Sequence, residues 1–482
     1  MEPAADQGRR RLFLFAQSKM NRFLPSPLRA CCALFFIGIA TYLGALDFSL
    51  GGSSSSSVAV PYFSAPLYAW FDFTPIGIVS GDTVNGSIGW ELRIAPRAQG
   101  RTSPAEASIA EGRSSLSLTF AGGLAVRAGW FLDETRAAEL FPQTTSFGPA
   151  DPLSRFETGG ASTERDEEPM IRVGYAGDWW RLSAQVAPFE PELVVPRIDS
   201  PWFPASLVPS SFKIAGSTYT LQNLAYDKSS ISLGSTTTST LTPDPAWSAS
   251  AGASLGPVDI DAYYFDGLER TPVLYGRADL AGSGYSFNVD LVPVRSHIRK
   301  IAASATWVAD AIRLWGESSW VRGSTFATGS VDWPFLNAGS YILPGSTLSI
   351  TQTPPIIRVD RLGTTCGASY NPDTGFVIIT FFLEATYNWY YGTPVWSKAP
   401  LLSRAAGGGF MIADQTGRLE ANLGGLLSLT DWSFALRPSL RIGFGGDRDL
   451  EIGFPLFGGP VDSEFGQFST LRYVTVALNQ RF

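Results

Sequence analysis

Polar and apolar residues alternate along much of the chain after residue 67, in stretches of about ten residues bounded by Gly, Asp, Asn, Pro or Ser. Val258-Asp259-Ile260-Asp261-Ala262 alternates strictly, as do residues 312–317 and 418–423. Residues 357–362 alternate less strictly but keep Arg358 and Asp360 together. Successive side chains of an extended chain point to opposite faces, so each stretch has one apolar and one polar face. This period predicts strands, and the turn formers between them predict hairpins at residues 174–178, 254–257, 371–375, 414–417 and 445–448. Longer polar or Pro-rich stretches alternate with these turns: 134–168, 188–211, 234–245, 322–355 and 455–467. No helix of convincing length is predicted, and after Leu46 no run of apolar residues is long enough for a helical membrane span.

Two architectures use many alternating strands, a soluble sandwich or solenoid and a closed barrel in lipid. In lipid every backbone polar group needs a partner within the protein, so strands can cross only when the sheet closes on itself. Short turns at one end, long loops at the other and aromatic residues at strand ends are the marks of such a barrel. Trp70, Trp130, Trp179, Trp180, Trp247, Trp307, Trp320, Trp389, Tyr390, Tyr391 and Trp432 recur at the strand ends. Rings with one apolar and one hydrogen-bonding end favour the headgroup level. The expected fold is therefore all-β, a transmembrane antiparallel β-barrel of about 16 strands, between 14 and 18, wide enough for an aqueous channel.

Composition sharpens this reading. Charged residues are only 16%, below the ~25% usual for a soluble domain. The net charge of −7 argues against a nucleic-acid partner, which needs clustered Lys and Arg. At the N-terminus Arg9, Arg10, Arg11, Lys19, Arg22 and Arg29 precede an uncharged apolar run, 30–46, and then a serine tract, 53–57. Basic, apolar, then small is the order of a secretory signal peptide. Residues 1–45 are expected to be the leader, with the true start at Met1 or Met20. Residues 46–67 are expected to be a linker and 68–482 the barrel. Cleavage after Ala45 or Ala59 fits equally. Cys31 and Cys32 fall in the leader, leaving Cys366 alone and excluding an internal disulfide; a buried, inert thiol is expected.

The last strand is the most informative. In residues 471–482, Val474, Val476, Leu478 and the terminal Phe482 share one face, and Tyr473, Thr475, Asn479 and Arg481 the other. This resembles the C-terminal targeting strand of outer-membrane barrels of diderm bacteria, departing from it at Gln480. The resemblance implies an outer-membrane location, with outer-membrane lipid and the barrel-insertion machinery as partners. Residues 263–267, 294–301 and 312–317 are similar to hairpins of porin-like barrels, including the alginate-export type.

His297 is the only histidine, so His-based metal sites and most catalytic pairs are absent; no enzyme activity, metal or cofactor is expected. The polar faces carry the candidate chemistry. Arg295, His297 and Arg299 share one parity, as do Arg313 and Glu317, Arg358 and Asp360, and Arg437 and Arg441. An Arg facing lipid at mid-depth costs about 2–4 kcal/mol, so all nine are expected to line the lumen. Opposed charges across a pore orient polar solutes and set ion preference. The stretch 322–355 is read as an exposed loop, with inward folding as a constriction the alternative. The expected function is passive diffusion of small hydrophilic solutes through a porin-like channel, in a monomer or a homo-oligomer. The alternative is a structural or adhesive barrel whose long loops bind an external partner.

Overall fold

The computed structural model describes residues 43–61, 68–83, 88–102, 105–131, 138, 140–141, 143, 168–188, 211–214, 217–226, 231–233, 245–269, 273–280, 286–327, 356–372, 374–392, 403–445, 448–461, 463–471 and 473–481. Among these the chain is all-β apart from one 3-10 turn, Gly466–Phe468.

Seven strands run in sequence order, each antiparallel to the next: β1 (Leu43–Pro61), β2 (Tyr68–Thr83), β3 (Ile88–Thr102), β4 (Ala105–Phe120), β5 (Leu124–Phe131), β6 (Glu168–Ala176) and β7 (Trp180–Ala187). Three short strands follow, β8 (Ser211–Ile214), β9 (Ser217–Tyr226) and β10 (Ile231–Leu233), and they lie outside the ring. The ring continues from β7 to β11 (Ala246–Leu255) and β12 (Val258–Leu268). It then passes over β13 (Val273–Leu280) to β14 (Ser286–Ala309). β15 (Ile312–Ala327), β16 (Ile356–Tyr370), β17 (Val377–Tyr391), β18 (Arg404–Asp414), β19 (Leu419–Ser428) and β20 (Phe434–Gly443) succeed one another. β20 pairs with both β21 (Arg448–Gly453) and β22 (Leu456–Gly458), and β21 pairs with β23 (Tyr473–Arg481). β23 then pairs with β1, so the ladder returns to its first strand.

That closure corrects one expectation. Residues 43–61, read as the end of the leader and a linker, form the first strand, and residues 53–61 pair on both sides, with β2 and β23. A Gly/Ser tract has no period-two contrast, so its extended pairing is invisible to pattern reading. β14 serves two sheets: its first half pairs with β9, β10 and β13, and its second half belongs to the ring.

The alternation sorts cleanly by exposure. On β15, Arg313, Trp315, Glu317, Ser319 and Val321 form one row, and Ile312, Leu314 and Trp320 the other, exposed one. The same exposed row continues around the ring through Ile171, Leu182, Ile260, Ile301 (63% exposed), Leu383, Phe410, Leu423, Leu440 and Leu478. A soluble protein turns such residues inward, because each would otherwise leave apolar area in water at about 25 cal/mol per Å². Here the apolar row faces out and the charged row faces the axis, the arrangement of a transmembrane barrel.

The hairpins at one end are tight. The β11–β12 connection is two residues long, with Gly256 at φ +65°, the left-handed conformation that the first position of such a turn demands. The β5–β6, β7–β11 and β15–β16 connections at the opposite end are long.

Candidate functional site

The site is the inner face of the barrel, and residues of the β5–β6 connection lie against its wall at β15–β19. Ala138, Leu140, Phe141 and Gln143 are all buried. Two inward carboxylates hold their backbone. Glu317 on β15 accepts the Ala138 N–H at 2.8 Å and also that of Gln143. Glu384 on β17 accepts the N–H groups of Leu140 and Phe141 at 3.0 and 2.5 Å, and the Trp315 indole N–H at 3.0 Å. Both carboxylates are buried, Glu384 completely. A buried charge is tolerated when several donors satisfy it, and these two receive theirs largely from the inserted segment.

Neighbouring side chains complete the grip. Thr365 donates its hydroxyl to the Phe141 carbonyl at 2.8 Å. Ser319 donates to the Gln143 side-chain oxygen at 3.0 Å, and the Gln143 amide reaches the Thr365 and Thr386 hydroxyls at 3.3 Å each.

Space for the segment comes from glycines on the inward rows. Trp315, Gly367, Glu384, Gly407 and Leu426 are successive cross-strand partners in one row. A Cβ at Gly407 would run into Leu140, one at Gly363 into Gln143, and one at Gly367 into the Trp315 ring. Leu140 and Phe141 pack into an apolar cluster with Ala405, Leu426, Ala435, Phe457, Phe465 and Phe468, so the segment is held by packing as well as by hydrogen bonds. A second inward apolar cluster, including Phe131, Met170, Tyr263, Phe265 and Val321, lines the other side.

Toward the short-turn end the inner wall is charged and partly exposed. Arg441 lies between Asp449 at 2.7 Å and Glu420 at 3.5 Å, and Arg437 pairs with Glu451 at 2.7 Å. Asn422 donates to Glu420 and Asn479 to Asp449. On the β7–β12 wall, Arg181 makes a two-pronged contact with Asp261 at 2.6 and 3.0 Å and stands 3.9 Å from Asp259. Arg127 and Arg172 are direct cross-strand partners on the inward row.

The nine residues expected to line the lumen separate into three groups. Arg313, Glu317, Arg437 and Arg441 are on inward rows, with Glu317 buried by its contacts to the inserted segment and Arg313 stacked 5.0 Å over Trp315. Arg295 is buried beyond the ring part of β14; burial lowers its pKa to about 10, opposed by the nearby charge of Glu168. His297 and Arg299 lie on the outward row of β14, where Asp266 takes both, at 3.2 and 3.3 Å. Arg358 and Asp360 share the parity of outward Leu362, and Asp360 accepts the Gly323 N–H. Parity within a strand says which residues share a face, but not which face is the lumen, and near the loop end lipid gives way to headgroups where charge is tolerated. Cys366, expected buried, is exposed on the outward row.

Sequence reasoning missed the inserted segment and Glu384. The stretch 134–168 read only as a long loop. The detectable signals were Glu384, the one charged residue of β17, and the repeated inward glycines. Of the stretch 322–355, expected to be a loop, residues 322–327 are the end of β15, while 328–355 lie outside the described residues, as does Phe482. Val474, Val476 and Leu478 are on one face of β23, with Leu478 52% exposed.

No family model matches the chain, and no curated protein matches it in sequence. Among solved structures it is similar to a mutant of the Rh. blastica porin (10% identity, TM-score 0.40, covering 90% of this chain and 100% of that one). It is also similar to an anion-selective porin from Comamonas acidovorans (10%, 0.39, 91% and 100%). OccAB1 of Acinetobacter baumannii matches as well, at 8% identity and a TM-score of 0.47, covering 92% of this chain and 97% of that one.

Proposed function

We propose that the protein is a porin-like channel of the outer membrane of a diderm bacterium, passing small hydrophilic solutes down their gradient. The observation that carries this reading is the sorting of the two barrel faces. Charged, partly exposed side chains occupy the inner wall at the short-turn end, and large exposed apolar side chains occupy the outer one. An outward apolar band needs acyl chains, and an inward charged wall needs water. Ala138, Leu140, Phe141 and Gln143, held against inward residues of the wall, take up part of the lumen and narrow it. Arg313, Arg437 and Arg441, with Arg127, Arg172 and Arg181, act as fixed charges that orient passing solutes against the acidic residues between them. In this reading the leader is removed after Ala45, because cleavage after Ala59 would take away most of the strand that pairs with both β2 and β23.

Conductance of the purified protein in a planar bilayer tests the reading. Stepwise ionic currents are expected. A folded, inserted and silent protein would refute the channel and leave the surface-barrel alternative, with the lumen plugged by the inserted segment.

A further inference from the structure

At the loop end the outer face carries a charged row beyond an apolar and aromatic one. Tyr264, Ile301, Trp320, Leu362 and Trp389 are successive cross-strand partners on the outer face, an aromatic and apolar belt. Two residues farther toward the loops, the next outward row contains Asp266, Arg299 and Arg322, again direct partners. At about 3.4 Å per residue the charged row stands about 7 Å beyond the belt, which places it at headgroup depth.

Arg299 and Arg322 face each other across the β14–β15 ladder, and both are exposed. Like charges directly opposite on a sheet repel, so the pair is destabilising unless an anion lies between them. Asp266 meets only part of this charge: its carboxylate already takes Arg299, His297 and the Tyr264 hydroxyl. Arg322 makes no ion pair among the described residues. Beside it, Asp360 is turned to the Gly323 N–H. Arg358 is exposed on β16, and farther along the same rim Arg404 is exposed and lies 4.5 Å over the ring of Tyr387.

We propose that Arg299 and Arg322 form a binding site for an uncapped, monoester phosphate on the headgroup of a surrounding lipid, at the loop-end rim of the barrel. Guanidinium groups match phosphate oxygens with two parallel donors, and the aromatic belt below supports the lipid's glycerol and upper acyl region. This inference rests on the membrane-spanning reading above, but not on conduction. It assigns to Arg299 an outward task in place of the lumen-lining one.

The test uses the full-length mature protein in detergent, titrated with short-chain phosphatidic acid and, as a control, phosphatidylcholine of the same chain length. Bound lipid is counted by native mass spectrometry. Each basic residue at a membrane surface contributes about fivefold to such binding, so Arg299→Gln with Arg322→Gln is expected to weaken phosphatidic acid retention by about 25-fold. Phosphatidylcholine retention should not change. Flotation with phosphatidylcholine vesicles and the heat-dependent gel shift of a folded barrel report separately on insertion and folding. Equal phosphatidic acid binding by the folded double variant and the parent would overturn the headgroup site while leaving the barrel intact. Equal binding of both lipids by the parent would also overturn it. Failure of the parent to float would remove the membrane reading and this site together.

Discussion

Glu384→Ala is the most informative perturbation of the lumen. The Glu384 carboxylate takes three donors, the Leu140 and Phe141 N–H groups and the Trp315 indole, and it is fully buried. Two of these donors belong to the segment, and hydrogen bonds to a charged group contribute about 1.5–3 kcal/mol each, so even the low end sums to roughly 3 kcal/mol. A shift of that size moves the equilibrium between inserted and withdrawn segment by about two orders of magnitude. Glu317 retains the Ala138 and Gln143 ends, so the segment loses its middle anchor first. The cavity left beside Gly407 adds to the loss, since Leu140 packs there. Single-channel recording should show a larger or noisier conductance than the parent, while the barrel keeps its heat-dependent gel shift. Adding Glu317→Ala should raise the conductance further. A folded Glu384→Ala protein with the parent's conductance and noise would refute the assignment of residues 138–143 as the constriction.

Other outcomes follow from the same geometry. Arg313→Glu replaces an inward positive charge by a negative one and should shift permeability toward cations, whereas Arg358→Glu, on the outward parity, should leave the reversal potential in a salt gradient unchanged. Asp414 at the β18–β19 turn is held below the usual carboxylate range, first by the backbone N–H of Leu419 and then by the Thr416 hydroxyl. A depressed carboxylate stabilises the fold above its unfolded pKa of about 3.9, and that contribution is lost as pH falls through the folded value. Denaturant melts should therefore show Asp414→Ala less stable than the parent at neutral pH, with the gap closing in acid; a gap independent of pH would contradict this. Sequencing the N-terminus of the protein from isolated outer membranes should begin at Leu46, and a start at Val60 would contradict the role of β1 in closing the ring.

The fold was legible because the physics that builds it is periodic. The strict alternations at 258–262 and 312–317 lie within ring strands, that at 418–423 starts one residue before β19, and the hairpins at 174–178, 254–257, 371–375, 414–417 and 445–448 all join paired strands. What periodicity does not encode was missed. β1 has a serine tract with no contrast between its faces. The face to which Arg299 or Arg358 belongs depends on height in the membrane, which parity along one strand cannot report. The lumen segment is a non-local feature: Ala138 meets Glu317 and Leu140 meets Glu384 across separations of 179 and 244 residues. No local pattern announces such a meeting, although a glutamate amid apolar and aromatic neighbours in β17 marks a buried charge in need of donors.

The central claim is the orientation of the two faces, and adjacent rows of β16 test it in one experiment. A nitroxide attached to Cys366, whose outward partners are Gly316 and Ala385, should collide more often with dissolved oxygen than with a polar nickel chelate when the protein is in a bilayer. A nitroxide at Ser369→Cys in a Cys366→Ser background, on the inward row opposite Arg313, should show the reverse. If the Cys366 label favoured the nickel chelate, the exterior would be wet and the account of this chain as a membrane-spanning barrel would be contradicted.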